Sequence, residues 1–302
     1  MKLLKSIVTG IAWLLGAAVL ISFLGTIAMV ASVIGKGMEL SLEEHQPTKT
    51  DRAVAVVDLS GEILSSEKFS KKLRKQVEDA DIKAIVVQID SPGGAVGAAE
   101  EMYRAILAAD KKKPVFCSLG SVAASGGFYA AMACRKVFTH AGTISGSIGV
   151  ILMSPNFTTI MERLGVGVNV IKSGQFKDAG SPFRPATDAE RSLLQALVNQ
   201  AYEQFVRVIA TGRKLDLEKI RPVADGRVIL GESLVELGFA DSIGGVEEAA
   251  TEALAAAGGA GEPEIVYPKS GEGLLELFGE IGQSSSIRRL LGTNEDLQLL
   301  YR

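Results

Sequence analysis

The chain has 302 residues, 47% hydrophobic and 22% charged, enough to bury a sizeable core and to exclude a disordered body. A formal net charge of −3, with no basic cluster interleaved with aromatics, speaks against a nucleic-acid binder. Two cysteines and two histidines leave no spacing that suggests zinc, so no metal and no cofactor are expected.

Met1 to Lys5 is a short basic flank, and no charged residue appears from Ile7 to Ile34. A run of that length crosses a bilayer core of ~30 Å as a tilted helix. It exceeds the roughly 7–15-residue apolar core of a signal peptide, and no convincing Ala-x-Ala site closes it. Residues 1–35 are therefore expected to form an uncleaved transmembrane anchor. Lys2 and Lys5, opposed weakly by Lys36, set the N-terminus on the cytoplasmic side and the body outside the cytoplasmic membrane. Residues 36–52 read as a juxtamembrane linker, 53–257 as the folded domain, and 258–302 as a C-terminal extension.

Within the domain, residues 53–59 and 82–90 have the length and β-branched content of buried strands, and 69–80 reads as an amphipathic helix between them. Ser91-Pro-Gly-Gly94 follows, then helical composition over 95–112. Strands are expected at 114–118, 136–139, 144–152 and 167–172, with a helix after Ser125 and another near 156–164. Such alternation predicts an α/β domain with a mostly parallel sheet covered by helices. A long helix is expected over 188–210, closed by Gly212 and started by a capping box between Thr187 and Glu190. Short helices at 232–237 and 247–257 and a break at 258–263 follow, and the last segment, 264–302, has a strand-like run at 265–267 and two weakly amphipathic helical pieces. Cys117 and Cys134 fall on a strand and a helix and read as buried free thiols, with a disulfide the alternative outside the cytosol.

The chemistry gathers around Gly120-Ser-Val-Ala-Ala-Ser-Gly-Gly-Phe-Tyr129. Ser125 has almost no side-chain bulk beside it, and a helix N-terminus after it aims free N–H groups at developing negative charge. That suits an acyl-transfer nucleophile, although alone it reads equally as a helix N-cap. Ser91-Pro-Gly-Gly94 is an exposed bend whose N–H groups, with that after Ser125, would form an oxyanion hole. Ser147 lies in an apolar, Gly-rich run and either bonds backbone or holds an amine. Lys177 sits in a small-residue loop after the expected strand 167–172. To act as a base it must be neutral near pH 7, which needs desolvation. Of the histidines, His45 is juxtamembrane and His140 ends a short strand, where a structural role is expected rather than that of a triad base.

Ala123-Ala-Ser-Gly-Gly-Phe-Tyr129, Ser145-Gly-Ser-Ile-Gly-Val150 and Ser173-Gly-Gln-Phe-Lys-Asp178, with Ser91-Pro-Gly-Gly94 upstream, resemble the signal peptide peptidase A family of membrane-anchored serine proteases. The resemblance runs from about Val54 to Ala250 and includes Gly226 to Asp241. It implies a Clp-protease-like, crotonase-like fold of repeated strand-strand-helix units, with residues 53–257 as the catalytic domain. It also implies a Ser-Lys dyad in which Ser125 is the nucleophile, Lys177 the general base and Ser147 the residue that orients the lysine amine. The N–H groups of Gly126 and Gly94, with Gly93 a second candidate, would form the oxyanion hole. Phe128, Phe176 and Ser145 depart mildly from the family pattern, where tyrosine, tyrosine and threonine are common.

A long form of the family carries two modules whose halves share the dyad. With one module, this chain is expected to form a ring-like homo-oligomer with sites completed between neighbours. Hydrophobic signal-peptide remnants are the implied substrates, at the cytoplasmic membrane on its extracytoplasmic side. Three rivals remain: a membrane protease trimming a membrane-protein partner, a crotonase-like acyl-CoA enzyme, and an inactive scaffold. Gly94→Val is expected to fold and lose most activity.

Overall fold

The computed structural model describes residues 51–268 and the backbone of 300–301. The expected transmembrane anchor, nearly all of the linker and most of the C-terminal extension lie outside the described residues. Among the described residues, no helix is long and apolar enough to cross a membrane.

In chain order the elements are β1 (Ala53–Ser60), α1 (Glu67–Glu78), β2 (Ile82–Ser91), β3 (Gly94–Ala95), α2 (Val96–Asp110), β4 (Val115–Ala124) and α3 (Gly126–Ala131). They continue through β5 (Val137–Thr139), β6 (Ile144–Gly146), α4 (Thr158–Leu164), α5 (Asp188–Arg213), α6 (Leu217–Ile220) and a 3-10 turn, Arg221–Val223. Last come β7 (Val228–Leu230), α7 (Gly231–Glu236), β8 (Ser242–Ile243), α8 (Val246–Ala256), β9 (Glu264–Val266) and β10 (Leu300–Tyr301).

Eight strands form one sheet in the order β7-β6-β4-β2-β1-β9, with β5 and β8 branching from β4. Every pairing is parallel except β6 with β7. The near-continuous apolar runs of β1 and β2 are explained by burial on both faces. Val54, Val56, Ala84 and Val86 point to one side, where Ala249, Ala253 and Leu254 of α8 cover them. Ala55, Val57, Ile85, Val87 and Ile89 point to the other, into a larger core built with α1, α2, α3 and α5. Burying each such aliphatic side chain contributes roughly 1.5–3 kcal/mol.

The strand expected at 114–118 runs on to Ala124, because β4 changes partner midway. Cys117 to Leu119 pair with β5, and Val122 to Ala124 pair with β6. Polar side chains stitch the changeover. The Asp90 carboxylate accepts from the Val122 N–H at 3.0 Å, and the Thr143 hydroxyl donates to the Gly120 carbonyl at 2.8 Å. Ser125 is thus delivered by a ten-residue strand rather than by a long glycine turn.

Three local expectations are corrected. The run 144–152 is a strand only over Ile144–Gly146, since Gly146 (φ 71°) and Ser147 (φ 50°) are consecutive left-handed residues that end it. Residues 167–172 form no strand; Val168, Val170 and Ile171 lie exposed, Ile171 fully so. Cys117 and Cys134 form a disulfide, their Cα atoms 5.7 Å apart on β4 and just beyond α3. Elsewhere the long helix α5 begins with the expected capping box between Thr187 and Glu190 and runs past Gly212 to Arg213. At the C-terminal end, Leu300–Tyr301 pairs antiparallel with β3, opposite Ala95 and Gly94.

Candidate active site

Ser125 joins β4 to α3 with φ 52° and ψ −114°, a conformation that non-glycine residues rarely adopt. Surrounding structure holds it there. Its N–H donates to the Gly146 carbonyl at 2.9 Å, and its carbonyl accepts from the Tyr129 N–H at 2.7 Å. Phe128 and Tyr129, the bulk of α3, are buried against α5, with Phe205 centred 6.5 Å and 5.1 Å from their rings. Burial pushes the Tyr129 phenol up to about 12, helped by the charge of Glu100, and its hydroxyl accepts from Gln204 Nε2 of α5 at 3.2 Å, which ties the two helices together. The Ser125 residue is 0% exposed, and its hydroxyl makes no hydrogen bond among the described residues. A buried hydroxyl without a partner is costly and uncommon, and it marks a group reserved for another contact.

Beside it lies the bend after β2. Gly93 has φ 104°, and its N–H donates to the Ser91 hydroxyl at 3.2 Å while that hydroxyl donates to the Gly61 carbonyl at 2.6 Å. Ile63 clamps the bend on both sides: its N–H donates to the Gly93 carbonyl at 2.9 Å and its carbonyl accepts from Ala95 N–H at 2.7 Å. A Cβ added to Gly126 would sit 3.3 Å from both the Gly93 Cα and the Gly94 nitrogen. The two backbone segments are therefore in direct contact. Gly126 also opens α3, so its N–H has no partner inside that helix. Ser125, Gly126, Gly93 and Gly94 are brought together.

Ser147 follows the carbonyl that holds Ser125 in place, is 9% exposed, and donates its own N–H to the Arg227 carbonyl at 2.8 Å. Lys177 is not brought to Ser125 within this chain. It lies exposed in the loop between 173 and 182, its N–H donating to the Gly174 carbonyl at 3.2 Å, and among the described residues no amine reaches the Ser125 hydroxyl. The stretch leading to it carries a row of exposed apolar side chains, among them Ile160, Leu164, Val168, Val170, Ile171 and Phe176. Such a surface is characteristic of an interaction face. His140 stands apart from the serine: its imidazole lies against Gly245 at the start of α8, near Glu248. Among the described residues no cluster of His, Cys, Asp or Glu is arranged to hold a metal.

One network escaped the sequence reading. Asp178, next to Lys177, accepts from Lys172 Nζ at 2.5 Å and from Arg184 Nε at 2.9 Å. Arg184 turns its other edge to Glu190, with Nη1 donating at 2.9 Å and Nη2 to the second carboxylate oxygen. Only the Thr187–Glu190 capping box was legible beforehand. Arg184 carries no local signature, because its partners lie six residues away on either side, Asp178 in irregular chain and Glu190 in the first turn of α5.

A profile of peptidase family S49 matches residues 108–258. The Synechocystis protein slr0021, provisionally named a protease, is 42% identical over 212 residues, covering 70% of this chain and 76% of its own. An Enterococcus faecium protein provisionally named signal peptide peptidase SppA is 35% identical, over 63% of this chain and 56% of its own. The chloroplastic serine protease SPPA of Arabidopsis thaliana is 33% identical over 63% of this chain, which spans 28% of that longer protein.

Proposed function

Since this chain belongs to peptidase family S49, the signal peptide peptidase A family, and is a serine peptidase, we propose that it cleaves peptides with a Ser125–Lys177 dyad completed between neighbouring copies. The observation that carries the reading is the Ser125 hydroxyl: fully buried, without a hydrogen bond, at a strained junction beside Gly93, Gly94 and Gly126. Among the described residues no base touches this hydroxyl, which supports a base supplied by a neighbouring copy. The exposure of Lys177, at the end of an exposed apolar face, supports its assignment as the base delivered across an interface.

In this mechanism neutral Lys177 accepts the Ser125 proton as the hydroxyl attacks the scissile carbonyl. The oxyanion of the tetrahedral intermediate is held by the Gly126 and Gly94 N–H groups, each worth about 3 kcal/mol by analogy with deletions elsewhere. Lys177 then returns the proton to the leaving amine, and water releases the acyl group by the same path. Ser147 orients the amine, and burial against the neighbouring copy removes its hydration, which favours the neutral form. The edge of β3 at Gly94–Ala95 already accepts an extended strand from Leu300–Tyr301, which supports backbone pairing as the way a peptide is aligned there.

Substrate and setting follow the same reading. Hydrophobic signal-peptide remnants are the substrates, and the anchor at 1–35 holds the catalytic domain on the extracytoplasmic face of the inner membrane. The Cys117–Cys134 disulfide supports that side of the membrane, because such bonds persist in oxidising compartments. A fluorophosphonate probe tests the nucleophile: labelling should fall on Ser125 and vanish in Ser125→Ala. Labelling of another serine in active protein would overturn the assignment.

A further inference from the structure

We propose that Arg184 is a positioning residue for the base: by occupying Asp178 it keeps the carboxylate adjacent to Lys177 from pairing with the Lys177 amine. The inference rests on the Ser-Lys reading above and concerns how that lysine is kept able to lose its proton.

A carboxylate one residue from a general-base lysine is a chemical hazard. An opposite charge within about 4–6 Å favours the charged form and shifts a pKa by roughly 1–3 units. An ion pair with Asp178 would hold the Lys177 amine as ammonium, which cannot accept the serine proton. The structure shows where that carboxylate is spent instead. Arg184 grips it along one edge, Nε to Oδ2 at 2.9 Å and Nη2 to Oδ1 at 2.8 Å, and Lys172 Nζ takes Oδ1 at 2.5 Å. Arg184 and Lys172 are the charged groups that act on Asp178, and their hydrogen bonds, that of Arg184 foremost, hold its carboxyl well below the usual range.

The grip is itself fixed in place. Arg184 is bound along its other edge by Glu190, 2% exposed at the third position of α5, whose carboxylate also accepts from the Thr187 N–H at 2.8 Å. Arg191 of α5 lines the same cleft as Arg184, and among the described residues no acid other than Asp178 and Glu190 acts on the Arg184 guanidinium through a hydrogen bond. Two cations and two carboxylates, Lys172, Arg184, Asp178 and Glu190, sum to zero charge. The network therefore ties the Lys177 loop to α5, the helix whose Phe205 packs on α3 behind Ser125, without presenting an unpaired negative charge to the amine.

The test is the pH profile of kcat/KM on a peptide substrate, whose acidic limb reports loss of the neutral base. Arg184→Gln releases the Asp178 Oδ2 oxygen, with Lys172 left on Oδ1, so the limb should move to higher pH by up to about one unit, and the shift should shrink at high salt because the site is partly exposed. Arg184→Gln combined with Asp178→Asn should return the limb to its original position, even where kcat stays low. Asp178→Asn alone should leave the limb in place or move it lower; this arm also decides the matter if Arg184→Gln fails to fold. An unmoved limb in folded Arg184→Gln, or a raised one in either Asp178→Asn variant, overturns the inference. Lys177→Ala is the control on the underlying reading: full activity there refutes the dyad itself, whereas an inert Lys177→Ala with an unmoved Arg184→Gln limb refutes only the role of Arg184.

Discussion

Gly126 lies against Gly94, so closely that a Cβ on Gly126 would stand 3.3 Å from the Gly94 nitrogen. That contact aligns the two backbone segments between which an oxyanion would sit. Gly126→Ala should part them by a few tenths of an ångström and lower kcat/KM by roughly 10–100-fold, because donors misplaced by so little lose much of their effect. Thermal melting should show a folded protein. Activity within twofold of the parent would show that Gly126 is not an oxyanion donor.

Gly94 is not the clean probe that its sequence suggests. A Cβ there would fall 2.1 Å from the Ile63 carbonyl oxygen, a backbone atom hydrogen-bonded to Ala95 and unable to retreat. Gly94→Val is therefore expected to destabilise the bend as well as the activity, and a lowered Tm should accompany its loss of turnover.

The disulfide closes the segment around Ser125, joining the strand before it to the chain just beyond the helix after it across 17 residues. Closing a loop of that size contributes about 3 kcal/mol in the chain-entropy view, so Cys117→Ala/Cys134→Ala should lower Tm by roughly 6–12 °C. Both residues are almost fully buried, so mild reductant should leave the folded protein's melt unchanged. A double variant as stable as the parent would show that the bond contributes nothing.

Acid should release the Lys177 loop from α5. Arg184, and then the Thr187 N–H, depress the Glu190 carboxyl from 4.5 to about 2, and Arg184 with Lys172 depresses Asp178 below its ordinary 3.8. A depressed folded-state pKa gives stability that is present above the unfolded value and is lost as pH falls through the folded one. Stability should therefore decline from about pH 4.5 down to pH 2, and Arg184→Gln should flatten that decline. Denaturant titrations across this range check it; parallel curves for the two proteins would exclude the network as the cause.

Much of the fold was legible because its strands are apolar runs of fixed length: β1, β2 and β5 fall where periodicity and β-branching put them. The runs at 144–152 and 167–172 misled for opposite reasons. Ser147 and Gly146 break the first through backbone conformation, which composition does not encode. The second is apolar without being buried by its own chain, since burial depends on what meets it. Its small neighbours marked the Ser125 turn as a candidate site, while the Arg184 network was not legible, because its links to Lys172 and Asp178 cross irregular loop.

The exposed row from Ile160 to Phe176 should be an assembly face. Ile171→Asp places a charge at its most exposed position, and it should shift the protein to smaller species in sedimentation while activity falls with assembly. An intact assembly with parental activity would remove this face from the account.

The central claim is that one copy supplies the serine and its neighbour the lysine. Co-assembling inert Ser125→Ala with inert Lys177→Ala tests it directly, since mixed interfaces pair an intact Ser125 with an intact Lys177. The account predicts that peptidase activity reappears on mixing, toward about a quarter of the parental level if each site draws at random on two copies. Mixed assemblies that form yet stay inert would contradict it.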